Sequence, residues 1–162
     1  MQVLIILELL VLLTIANGVP VIAKRLLGDR LAWPLDGNAR FIDGRPLFGA
    51  SKTIRGLALA VVATGAVAPL LGLAVTTGVL VGAGAMAGDL VSSFTKRRLD
   101  FKPSSRATGL DQIPESLIPA LLCRQELGLG PADIVAVVAI FFAGEIVLSR
   151  LLFRMHIRDR PY

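Results

Sequence analysis

The chain's apolar residues come in runs about as long as a bilayer is thick, and its charges are confined to the gaps between them. A helix needs about 20 apolar residues to cross the hydrocarbon core. Val3 to Ala23 is such a run, interrupted only by Glu8 and Asn17. Gly56 to Val91 is too long for one crossing and suits two, with Pro69, Gly72 and the Thr76-Thr77-Gly78 stretch marking a tight hairpin. Asp133 to Phe153 is another run. Ser116 to Leu127 is weaker, contains Pro119 and Arg124, and reads as a tilted or re-entrant helix. Lipid offers no partner to an open backbone, so spanning elements are helices or closed barrels. Strict apolar/polar alternation is missing and aromatics are only 6% of residues, which argues against a barrel. The expected architecture is all-α and polytopic, one membrane-embedded domain over 1–162, with spans near 3–23, 56–73, 76–95, 115–128 and 133–153.

The positions of the 17 Lys and Arg residues test this layout. Seven lie between Lys24 and Arg55, five between Lys96 and Arg106, and four between Arg150 and Arg160. Five spans with the N-terminus outside put all three clusters on one side, which the positive-inside rule makes cytoplasmic. Four spans would put the last cluster outside. The first run has no basic residue before it and is followed by Lys24 and Arg25, the reverse of a signal peptide. It is therefore read as a retained span.

A lone cysteine, Cys123, excludes an internal disulfide and multi-cysteine metal sites. Its apolar surroundings make it a packing residue. A lone histidine, His156, excludes histidine-rich zinc sites. The G-x-x-x-G pairs Gly78/Gly82 and Gly84/Gly88 place small residues on helix faces, and close packing is enough to explain them.

Three stretches can carry chemistry. In Gly88-Asp89-Leu90-Val91-Ser92-Ser93-Phe94-Thr95-Lys96-Arg97-Arg98, an acid lies inside an apolar run, where an unpaired charge costs a few kcal/mol and implies a role. Ser93 and Lys96 follow Asp89 by four and seven residues and share its helical face. A carboxylate, a hydroxyl and cations on one stripe suit Mg²⁺ and phosphate together. Lys96, Arg97 and Arg98 also read as ordinary interfacial anchors. In Asp111-Gln112-Ile113-Pro114-Glu115, two acids open a short helix. They read as a cap favoured by the helix dipole, or as further metal ligands. Gly49-Ala50-Ser51-Lys52-Thr53-Ile54-Arg55-Gly56 opens a span with a glycine turn and two cations, a plausible phosphate cradle but not a P-loop. Asp36-Gly37-Asn38 and Asp43-Gly44 are turn signals first and nucleotide contacts second. Glu8 and Glu145 are two more acids inside apolar runs.

Together these stretches resemble the CDP-archaeol synthase family. The likeness rests on Asp36-Gly37, Gly44-Arg45-Pro46-Leu47-Phe48-Gly49, Ser51-Lys52-Thr53 and Arg55-Gly56. It continues through Gly88-Asp89, Ser92-Ser93-Phe94, Lys96-Arg97-Arg98 and Leu110-Asp111-Gln112. The resemblance implies five spans, CTP bound at the two large loops, a lipid phosphate as second substrate, and dependence on Mg²⁺. Carried onto this chain, it makes Asp89, Lys96 and Asp111 catalytic. Asp89, Asp111 and Glu115 become metal ligands, and Asp36, Asn38, Lys52, Arg55, Ser93, Arg97 and Arg98 become substrate contacts. The family pattern often carries a second aspartate just after Asp-Gln; here Ile113-Pro114-Glu115 follows, with Glu115 the expected substitute. A homodimer is a further expectation, and nucleic acid is not an expected partner. Two other readings compete: a phosphatidate cytidylyltransferase, and a non-catalytic transporter or lipid-binding protein. Transporters usually show internal repeats, and none is present here.

Overall fold

A computed structural model describes residues 1–101, 105 and 107–154. The expectations placed on Lys102, Arg106, His156, Arg158 and Arg160 lie outside the described residues. The described residues form five α-helices: α1 (Val3–Leu27), α2 (Ile54–Val67), α3 (Val75–Arg98), α4 (Gln112–Leu122) and α5 (Pro131–Arg154). A 3₁₀ turn, Ala68–Leu71, extends α2. It ends at Gly72, whose left-handed φ of 79° makes the sharp return into α3. Four of the helical segments are long and apolar enough to cross a membrane.

The exception is α4. Its 11 residues rise about 16 Å, half of a hydrocarbon core about 30 Å thick. The weak apolar run is therefore a half-span helix followed by a turn, shorter than the 115–128 crossing expected from sequence. The chain nevertheless returns to the opposite end of the bundle before α5. At the start of α1, the backbone N–H of Gln2 donates to Asp133 at the start of α5 (3.0 Å), and its side chain donates to the Gly128 carbonyl (2.6 Å). Thr77, at the start of α3, bonds Glu126 at the same end. At the opposite end, Arg55 at the start of α2 donates to the carbonyls of Gly28 and Arg30 after α1. Helices α1, α3 and α5 thus run one way, and both basic loops lie at one end of the bundle.

α3 is the central helix, and its glycines explain why. A Cβ at Gly78 or Gly82 would collide with α2 at Thr64, and one at Gly84 or Gly88 would collide with α4 at Pro119 or Pro114. Each G-x-x-x-G pair therefore serves a different neighbour, as small-residue pairs do in membranes. Leu9, Leu12 and Leu13 of α1, Val81 and Ala85 of α3, Ala120 of α4 and Val137 of α5 form the fully buried core. Large apolar side chains such as Leu7, Val62, Leu70, Val135 and Val147 face outward, as they do where lipid is the solvent.

The first loop is folded. Leu35 donates its N–H to the Lys52 carbonyl (2.7 Å), Ile54 to Trp33 (3.1 Å) and Leu47 to Ala39 (2.9 Å). These bonds bring its two ends together. Trp33 stays exposed, a position suited to the membrane–water boundary.

Candidate active site

Where the two loops meet the helix ends, a cavity of about 540 Å³ opens. It gathers Lys52 and Arg55 from the start of α2, Asp89 and Lys96 from α3, and Asp111 and Glu115 around the start of α4. Six residues singled out from three separate stretches thus share one wall.

The folded first loop delivers Lys52. Its ammonium sits 2.6 and 2.5 Å from the two carboxylate oxygens of Asp89, and both side chains are about four-fifths buried. Thr53 caps α2 by accepting the Gly56 N–H at 3.1 Å, which fixes the backbone beside Lys52. Glu115 is 7% exposed and lies within hydrogen-bonding reach of Asp89. Glu145 of α5 lines the same cavity. A second ion pair joins Lys96 to Asp111 at 2.7 Å. Lys96 also donates to the Ser105 carbonyl (3.1 Å), while Asp111 accepts the Ala107 N–H (3.0 Å). Ser92, buried on α3, donates to the Leu110 carbonyl at 2.7 Å and ties this second loop down.

Five expected contacts lie outside the cavity wall. Asp36 is occupied in organising the loop: one oxygen accepts the N–H groups of Phe48 (2.9 Å) and Gly49 (3.0 Å), and the other that of Asn38 (3.0 Å). Burial works against its charge, but these three backbone donors outweigh it and hold its pKa below the usual carboxylate value. Asn38 takes a left-handed turn conformation (φ 64°) on the exposed side of that loop. Ser93 and Arg97 are buried away from the wall. Arg98 pairs with Asp43 at 3.0 Å and donates to the Pro46 carbonyl at 2.7 Å. Its guanidinium lies 4.9 Å from the Phe41 ring centroid and 4.8 Å from that of Phe94, a cation–π contact on both. Arg98 therefore holds the first loop against α3, while Asp36 organises the loop itself.

Sequence reasoning left two wall residues without a place. Lys24 counted only among the basic residues after the first run, and Glu145 only as an acid inside an apolar run. The signal for Glu145 was its charge inside an apolar helix.

A metal would find a partial donor set here. Mg²⁺ is commonly held by one or two carboxylates with substrate phosphates completing its shell. The neighbouring carboxyls of Asp89 and Glu115 fit that requirement. Asp89 and Asp111 are each engaged by a lysine, and no group of three such acids is close enough to hold a metal among the described residues.

The family model described as CarS-like, CDP-archaeol synthase, matches residues 71–162. A CDP-archaeol synthase of Sulfurisphaera tokodaii is 33% identical over 135 residues, 80% of this chain and 81% of that protein. This chain belongs to the CDP-archaeol synthase family. Another relative of that name, from Hyperthermus butylicus, is 40% identical over 105 residues, 60% of this chain; the match spans 59% of that protein's length. A solved structure of an intramembrane enzyme for archaeal membrane lipid biosynthesis superposes with a TM-score of 0.69 at 28% identity, covering 85% of this chain and 90% of that one. The fold is therefore shared with that intramembrane enzyme over most of both chains.

Proposed function

We propose that this chain transfers CMP from CTP to an isoprenoid glycerol ether phosphate, giving a CDP-archaeol-type lipid and pyrophosphate. The carrying observation is the cavity that brings two lysine–carboxylate pairs from both basic loops to the helix ends. That position suits a reaction between a soluble and a membrane-anchored substrate. Membership of the family and the CDP-archaeol synthase relatives support the same reading.

An oxygen of the lipid phosphomonoester attacks the α-phosphorus of CTP. The new P–O bond forms as the bridging bond breaks, and its electron pair leaves with pyrophosphate. No protein nucleophile is required, so catalysis rests on positioning and charge neutralisation. Asp89 and Glu115 are the protein donors proposed for Mg²⁺, which when bound neutralises triphosphate charge. Lys52 is the cation placed to move from Asp89 onto phosphate oxygens. Asp111 orients Lys96 for the same task, and Arg55 supports the start of α2. The positive-inside rule assigns the cavity end to the cytoplasm and the N-terminus to the outside.

The test is label transfer. Protein in detergent receives radiolabelled CTP, Mg²⁺ and one of three lipid phosphates: unsaturated isoprenoid diether, saturated diether or diacyl. Label in the organic phase with the isoprenoid ether is the expected result. Label with the diacyl lipid alone reassigns the chain to phosphatidate chemistry, and no transfer to any lipid sinks the reading.

A further inference from the structure

Lys52 and Lys96 each face a carboxylate, but they are held differently. The Lys96 ammonium has two partners, Asp111 at 2.7 Å and the Ser105 carbonyl at 3.1 Å, and Asp111 is itself fixed by the Ala107 N–H. Among the described residues the Lys52 ammonium bonds the carboxylate of Asp89 and nothing else. The Lys96 pair is also the more deeply buried of the two. Lys96 is therefore built into the second loop, whereas Lys52 can leave by exchanging a single partner.

The place that Lys52 takes decides what else Asp89 can hold. A carboxylate offers about four lone-pair directions on its two oxygens. The ammonium uses one on each oxygen, and Glu115, within hydrogen-bonding reach, competes for a third. Mg²⁺ would sit about 2.0–2.1 Å from a carboxylate oxygen, on the same face as the ammonium. Like charges that close, beside side chains about four-fifths buried, repel far more than they would in water. The two cations therefore exclude each other at Asp89.

A displaced ammonium needs a new anion within the sweep of its own side chain. The backbone of Lys52 does not follow, because its carbonyl accepts the Leu35 N–H at 2.7 Å and Thr53 caps α2 beside it. A triphosphate brought into the cavity supplies that anion.

We propose that Lys52 is a resident cation that keeps free Mg²⁺ off Asp89 and yields only to a triphosphate, so that the metal enters with the nucleotide and not before it. The inference rests on the cytidylyltransferase reading and adds the order in which its components bind.

Equilibrium dialysis against Mn²⁺, standing in for Mg²⁺, reads this order without turnover. Wild-type protein in detergent is expected to retain Mn²⁺ about tenfold or more tightly with CTP present than without it. Lys52→Met keeps the length of the stem and removes the charge. It is expected to bind Mn²⁺ without CTP about tenfold more tightly than the wild type, and Asp89→Asn added to it should cancel the gain. Wild-type Mn²⁺ retention that does not depend on CTP overturns the proposal, and this arm needs no variant to fold. Wild-type Mn²⁺ affinity in Lys52→Met with unchanged helical circular dichroism also overturns it, as does a gain that survives Asp89→Asn. Label transfer tests the underlying reading separately. Absence of transfer to any lipid sinks the reaction, while dialysis without CTP still reports whether Lys52 holds the metal off Asp89.

Discussion

The Lys52 ammonium bridges both carboxylate oxygens of Asp89, at 2.6 and 2.5 Å, across 37 positions of sequence. It occupies the side of the carboxylate where another cation could bind. Asp89 is thus neutralised before any ligand arrives, which offsets the cost of an acid near the membrane. In the proposed reaction the same lysine would pass from Asp89 to the triphosphate.

Removing either partner should be costly, in different ways. Asp89→Asn is expected to abolish label transfer while the protein keeps its helical circular dichroism and its elution volume. Lys52→Gln is expected to lower kcat about 10²-fold, the scale of losing one aimed charge donor. Near-normal turnover in Asp89→Asn would remove that carboxylate from the reaction.

Arg98 should separate from the lysines in kinetics. It touches Asp43, the Pro46 carbonyl and the rings of Phe41 and Phe94, all outside the cavity. Arg98→Gln is expected to loosen the first loop, with faster limited proteolysis between Leu31 and Ser51 and a raised KM for CTP. If instead kcat falls as far as in Lys52→Gln, with proteolysis unchanged, Arg98 acts on phosphate directly.

Asp36 gives the loop a pH dependence of defined sign. Its folded pKa is lowered, so its stabilising effect is present above the ordinary carboxylate pKa of about 3.9 and is lost as pH falls through the lower folded value. Melting temperatures of the wild type and Asp36→Asn, compared from about pH 6 down to about pH 3, should converge at the acid end. A gap that stays constant over that range contradicts the assignment.

Orientation can be read with single cysteines, because Cys123 is fully buried and contributes little background. Asn38→Cys should react with an impermeant maleimide only from the cytoplasmic face, and Gln2→Cys only from the opposite one. Labelling of both from one side would break the five-crossing arrangement.

Much of this was legible in the sequence because hydropathy and charge are local properties. The apolar runs gave the long helices, and the basic residues of the two loops gave their shared end. The acid at Asp89 announced itself by its cost in an apolar helix. What stayed hidden depends on long-range folding. A basic residue beside a span reads alike whether it will meet a phosphate or a pair of phenylalanine rings, so Arg98 looked equivalent to Lys96. Asp36 looked like a turn residue with a spare function, although three backbone amides take up its oxygens. Lys52 could be placed near phosphate but not on Asp89, because that pairing needs the first loop to close on itself. The length of α4 was blurred by apolar residues that continue into the turn after Leu122.

Gly88 has a further effect through its position. It abuts the backbone at Pro114 and Glu115, and Asp89 is its next residue. The contact that sets how near α3 and α4 lie therefore also sets the gauge between the carboxylates of Asp89 and Glu115. Gly88→Ala should cost about 1–3 kcal/mol in unfolding stability, and it should also alter divalent-ion preference. A single methyl group acts there as a shim, widening the jaw between two acids without touching either.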